Sequence, residues 1–198
     1  MLLTNKLEQT QWFAMRVTYQ RELAVKEMLT ERSVACFIPM QYELRTVKQR
    51  KKRELVPAIH NLLFVYAKQS DVQRVKADIS YFQYMMDRCT GRKIIIPDDQ
   101  MRRFMAVAGT YNENLIYFKP GEMNLSKGTR VRVIGGEFEG QEGTFVKLKG
   151  VRDRRVVIAI EGVVAVAMAT IHPDLIEAIP DESGKTAIIK TPKRKIVI

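Results

Sequence analysis

Cysteine, histidine and tryptophan are scarce in this chain of 198 residues, with two, two and one respectively. Two cysteines, Cys36 and Cys89, make neither a disulfide framework nor a zinc site, and both are expected as buried thiols. His60 and His172 lie far apart in sequence with no ligand-like partners around them, which argues against a metal centre and against histidine-based catalysis. No apolar run approaches the ~20 residues that a membrane helix needs. Residues 1–10 lack the basic-then-apolar order of a secretory signal. The expectation is a cytoplasmic protein with no membrane partner. There is no phosphate-binding glycine loop, no metal-ligand spacing and no nucleophile-with-base pattern. An enzyme is not expected, and neither is a cofactor.

What is present is a globular composition, 46% hydrophobic and 28% charged, in a chain long enough for one medium domain or two small ones. The strong bulk signal is a formal net charge of +11. An excess of this size suggests a polyanionic partner, nucleic acid or a machine that handles it. The charge is unevenly spread. Residues 1–118 hold 19 Lys and Arg against 12 Asp and Glu, residues 125–180 hold eight against seven, and residues 181–198 hold five against two. The first part therefore carries most of the nucleic-acid-facing charge.

Along the chain, residues 11–17 read as a strand and 19–32 as a helix with Ala24, Val25, Met28 and Leu29 on one face. Residues 34–44 read as a second strand, at an edge or bulged because Pro39 lies within it. Residues 45–53 follow, with six basic residues and no acidic one. So many like charges predict an exposed hairpin tip or loop. The nearly continuous apolar run 61–66 predicts a central strand. Ser70-Asp-Val-Gln73 has capping-box form and opens a helix. Strand signals recur at 81–87 and 94–97. Asp98 is a candidate N-cap for a helix whose face is Met101, Phe104, Met105 and Ala108. This order predicts an α+β sandwich with an antiparallel sheet over residues 11–118. A linker over 119–128 follows, where periodicity fades.

Five short strand signals then fall at 129–134, 143–149, 155–161, 163–171 and 174–179, which predicts a small closed barrel over 129–180. The β-branched runs 156–160 and 163–166, separated by Gly162, favour strands over helix. Within the barrel region, Gly136-x-Phe138-x-Gly140-x-x-Gly143 places glycines where tight turns or close backbone approach demand them, and Phe138 where an aromatic could cap a small core. On spacing alone an ordinary glycine-rich hairpin explains it equally well. Residues 181–198 are expected to be a basic, mobile tail.

The motif at 136–145 resembles the KOW motif of NusG-type transcription factors and some ribosomal proteins. The N-terminal part is similar to the NusG family's NGN domain in Trp12-Phe13, in Phe37-Ile38-Pro39 and in Asn61-Leu62-Leu63-Phe64-Val65. The likeness covers about residues 11–180, and the impression is of the specialised UpxY/RfaH-type branch associated with capsular polysaccharide operons. The resemblance implies a monomeric elongation and antitermination factor that grips the clamp helices of RNA polymerase. It places Leu62, Phe64 and Tyr84 in the polymerase-binding patch, which a helical second domain can cover in RfaH; the β-branched runs 156–160 and 163–166 predict strands here instead and a patch left uncovered. It makes Gln73 and Arg74 candidates for contact with the opposite pincer, and assigns a ribosomal protein or Rho to the KOW domain as partner. DNA or nascent RNA beside the polymerase would meet Lys48, Arg50, Lys51, Lys52 and Arg53. Leu62 departs from the aromatic usual there. Two other readings remain: a housekeeping factor working with Rho, and a ribosomal or RNA-binding KOW protein. The second would make the barrel the basic part, against the charge distribution.

Overall fold

A computed structural model of the protein describes residues 9–47, 50–120, 122, 125, 128–148, 153–168 and 171–180. The first sheet is antiparallel and runs β2 (Ala35–Phe37), β5 (Leu62–Ala67), β1 (Gln11–Val17), β6 (Phe82–Tyr84), with β7 (Ile95–Ile96) also paired to β1. β5 and β1 are interior and buried on both faces, which is why Leu62–Ala67 is a continuous apolar run rather than an alternating one. Alternation still sorts the side chains. Phe13, Met15, Val17, Leu63 and Val65 pack with Val25 and Leu29 of α1 (Glu22–Glu31) and Val72 and Val75 of α2 (Gln69–Asp78). Ala14, Leu62 and Phe64 point the other way, into a core with Met101, Phe104 and Val107 of α3 (Asp98–Ala108).

The local readings need four corrections. The strand expected over 34–44 is two, β2 and β3 (Met40–Val47), because Pro39 has no N–H to donate and restricts the residue before it. The helix expected from Tyr19 begins at Glu22; residues 18–20 form a 3-10 turn in which Tyr19 and Gln20 have φ of 65° and 53°. Buried Glu22 accepts a hydrogen bond from the backbone N–H of Asn61, tying this turn to the start of β5. Ser70 makes no capping box: α2 starts at Gln69 and Lys68 holds the N-cap without a side-chain cap. Asp98 is the first residue of α3 rather than its cap. Both acids of α3's first turn still favour the positive end of the helix dipole.

The second sheet corrects the expected barrel. Its six strands run β13 (Ile176–Ala178), β9 (Thr129–Val133), β10 (Glu142–Lys147), β11 (Arg154–Ile160), β12 (Val164–Ala167), β8 (Ile116–Phe118), all antiparallel. Among the described residues this path does not close. The outer edge of β12, which closure would require, is taken by β8 from the connecting segment, Tyr117 lying opposite Val166. Arg155 Nη1 donates to the carbonyls of Asn114 (2.8 Å) and Met168 (3.0 Å), fastening that segment to the sheet. The runs 156–160 and 164–166 are strands, as their β-branched residues favour.

α3 packs against β1 on one side and β11 and β12 on the other. One apolar core joins the two sheets through it: Phe64 and Phe104 share this core with Val131, Val156, Ile158, Val164 and Val166. Gln100 Nε2 donates to the carbonyl of Ala159 at 3.0 Å across the junction.

Candidate nucleic-acid interface

β3 and β4 (Arg50–Pro57) form a two-stranded ribbon that pairs with neither sheet. Met40 and Val56 bury its root. From there eight residue pairs run out to Val47 opposite Arg50, about 25 Å at the usual strand rise. The basic stretch 45–53 is thus the outer end of a hairpin, as expected, with most of its described residues in strand rather than loop. Thr46 opposite Lys51 and Arg45 opposite Lys52 continue the ladder into it. It is nonetheless exposed, as so many like charges require. Arg50, Lys51, Lys52 and Arg53 all face solvent, while Lys48 lies outside the described residues.

Register divides the ribbon into two unlike faces. On one, Glu43 and Glu54 sit opposite each other, as do Arg45 and Lys52. The like-charge pairs are relieved by ion pairs along and across the strands: Lys52–Glu54 at 3.2 Å, Arg45–Glu43 at 3.8 Å and Arg45–Glu54 at 3.9 Å. The other face carries Tyr42, Leu44, Thr46, Lys51, Arg53 and Leu55 and no acid of its own. Leu44 is 73% exposed, Tyr42 41% and Leu55 37%. The guanidinium of Arg53 lies over the Tyr42 ring and also pairs with Glu113 near the root. These apolar positions were missed as functional candidates. The alternation of Tyr42, Leu44 and Thr46 with Glu43 and Arg45 is the period-2 signal that marks them.

The residues expected to form one apolar patch do not come together. Leu62 and Phe64 lie on the α3 face of the first sheet, and Tyr84 lies with Phe13 and Met15 on the α1/α2 face. Leu62 and Phe64 are not uncovered either: they are 2% and 0% exposed. Phe64 packs at 5.8 Å against Phe104 and at 6.5 Å against Phe37, filling the space between sheet and helix that only a large apolar side chain suits. Tyr84 packs against Phe13 with ring centres 5.4 Å apart and planes tilted by 58°, and the ammonium groups of Lys76 and Lys93 stand 4.6 and 5.3 Å from its ring. Its hydroxyl is buried with no hydrogen-bond partner among the described residues, and burial pushes its pKa up to about 12. Gln73 and Arg74 are exposed on α2, Arg74 held to Asp71 at 2.6 Å.

In the 136–143 motif Gly136 and Gly140 take φ of 86° and 81°, the left-handed region that side chains resist. The turn is closed by Gly140 N–H to Val133 O at 2.8 Å. A Cβ on Gly143 would stand 2.6 Å from the carbonyl oxygen of Val157, so β10 and β11 meet closely there. Phe138 is buried in the joint core. Cys36 is half-buried with its thiol pKa raised by burial, but Cys89 is exposed, correcting the expectation of two buried thiols. The Asp87–Arg92 turn explains this: the Cys89 and Thr90 N–H groups donate to the Asp87 carboxylate, which holds the segment at the surface. Among the described residues no group of three or more His, Cys, Asp or Glu could hold a metal, and no helix is long and apolar enough to cross a membrane.

The family model described as transcription termination factor nusG matches residues 10–105, a span that contains the whole ribbon, the first sheet and most of α3. A solved structure described as domain interaction in Thermotoga maritima NusG is similar at 19% identity and a TM-score of 0.42, covering 87% of this chain and 99% of that one. No curated protein matches.

Proposed function

We propose that residues 10–105, which match the NusG family model, form a NusG-family domain and that this protein is a transcription elongation factor that binds RNA polymerase and suppresses pausing and termination. The family match is the observation that carries the reading. The charge distribution supports it. The ribbon belongs to the matched span and presents basic side chains to solvent, positioned to meet DNA or nascent RNA beside the polymerase through phosphate contacts.

On this reading the polymerase clamp helices are gripped by the first domain. Leu62 and Phe64, packed between the first sheet and α3, take part only after α3 itself has left that face, whereas Tyr84 belongs to a different surface. Gln73 and Arg74 on α2 are free of the core and available to the opposite pincer. Residues 125–180 carry almost no net charge, which suits docking to a protein such as a ribosomal protein or Rho better than a phosphate clamp. Leu62 in place of the family's usual aromatic, together with the basic stretch after residue 181, favours a specialised factor acting at selected operons of the capsular polysaccharide type.

A single-round transcription assay tests this. Purified protein added to elongating polymerase should raise the full-length fraction on a template with defined pause and Rho-dependent sites. Increased termination with Rho would favour the housekeeping alternative. No change in pausing or termination would count against both.

A further inference from the structure

We propose that the acid-free face of the ribbon, formed by Tyr42, Leu44, Lys51, Arg53 and Leu55, is a binding surface for single-stranded nucleic acid. The inference rests on the reading of the domain as one that works beside nucleic acid, and it names the face and the form of the ligand.

The two faces of the ribbon differ in what they leave unsatisfied. Behind, Glu43, Arg45, Lys52 and Glu54 neutralise one another, and their two carboxylates would repel a phosphate backbone. In front, no carboxylate belongs to the face. Lys51 has no described ion-pair partner, and Arg53 is shared between the Tyr42 ring and Glu113 at one edge. Between these cations lie the exposed Leu44 and Tyr42, Leu44 directly opposite Arg53 and Tyr42 opposite Leu55. Leu44, at mid-ribbon, leaves 73% of its surface open to solvent.

Charge complementarity selects a polyanion, and the apolar strip selects its form. In a duplex the faces of the bases are stacked on each other, and an outward-facing leucine meets only sugar and phosphate or the base edges. In a single strand the base faces are free to lie on aromatic, aliphatic and guanidinium surfaces while phosphates reach the flanking cations. Arg53 extends that platform: its guanidinium carbon stands 3.8 Å from the centre of the Tyr42 ring and its side chain is 53% exposed. Such contact tolerates any sequence, because every base has a π-face. The five basic residues therefore have unequal parts. Lys51 and Arg53 meet the strand, whereas Lys52 and Arg50 lie on the rear face, Lys52 paired there with Glu54.

The test uses the full chain and fluorescence anisotropy with labelled dT15 and the dT15·dA15 duplex, at one fixed salt concentration. Wild type should bind the single strand at least fivefold more tightly than the duplex. Tyr42→Ser with Leu44→Ser should weaken single-strand binding about tenfold and leave duplex binding within twofold. The rear variant Glu43→Gln with Glu54→Gln should not weaken either. All four positions are at least partly exposed, and a thermal melt of each variant confirms folding. Duplex preference, or single-strand binding unaffected by the front substitutions, overturns the proposal. Pause suppression by the wild type in the transcription assay is independent of that result. A factor that suppresses pausing yet fails the anisotropy test would lose only the ribbon assignment.

Discussion

The guanidinium carbon of Arg53 stands 3.8 Å from the centre of the Tyr42 ring, while the same guanidinium pairs with Glu113 in the segment that leads to β8. One side chain thus links the ribbon to the connection between the two sheets. All partners in this link are at least partly exposed. An exposed cation–π contact contributes about 0.5–1 kcal/mol and a surface ion pair ~0–1 kcal/mol.

Arg53→Ala should therefore lower stability by no more than about 2 kcal/mol in urea unfolding, yet weaken nucleic-acid binding. Replacing Lys48, Arg50, Lys51, Lys52 and Arg53 together by Ser should flatten the dependence of affinity on salt, since each lost phosphate contact lowers the slope by about 1. An unchanged slope would leave the ribbon as a solvated arm.

Phe64 reads in sequence as part of a docking patch and in the structure as the centre of a core shared by both sheets. Phe64→Ala should cost about 3–5 kcal/mol in chemical denaturation, the usual loss for a fully buried aromatic. A loss below about 1 kcal/mol would mean that the side chain is not packed between the first sheet and α3.

How much could be read in advance depends on the range of the interactions involved. The central position of 61–66, the apolar faces of the helices and the turn glycines Gly136 and Gly140 are local: period, burial and φ follow from the residues themselves. Pro39 correctly flagged an irregularity but not its outcome, because whether proline ends a strand or bulges it depends on what pairs beyond. The taking of β12's edge by β8 and the sharing of a core through α3 are long-range contacts with no local signature. They determine both the open second sheet and the burial of Leu62 and Phe64. Sequence likeness groups Tyr84 with Leu62 and Phe64, but its facing is set by pairing with β1, where Met15 lies opposite Tyr84.

Gly143→Ala should be more damaging than Gly140→Ala. At Gly143 the new methyl would meet the Val157 carbonyl and the Val156 side chain, at 2.6 and 2.8 Å, so β10 and β11 must part. Overpacking of this kind costs about 1–3 kcal/mol. At Gly140 nothing lies within 4 Å and only the left-handed φ is penalised, about 1–2 kcal/mol. Thermal melts of the two variants give the order.

Burial raises the folded pKa of Tyr84 to about 12, above the value near 10 of a free phenol. The neutral phenol is the form that the fold favours, so its contribution is complete below pH 10 and is lost as pH rises from about 10 towards 12. Unfolding free energy should decline over that window, and Tyr84→Phe, which has no proton to lose, should flatten the decline. Tyr117, raised in the same direction by burial, adds to the slope and remains in the variant. A decline unaffected by Tyr84→Phe would contradict the burial of this hydroxyl.

The central claim, a NusG-family domain that engages transcribing polymerase, is tested most directly by affinity capture of the tagged full-length protein from native lysate, with and without nuclease. The account predicts that the large polymerase subunits are retained in stoichiometric amount after nuclease treatment. Their complete loss with nuclease, or capture of ribosomal proteins alone, would contradict it.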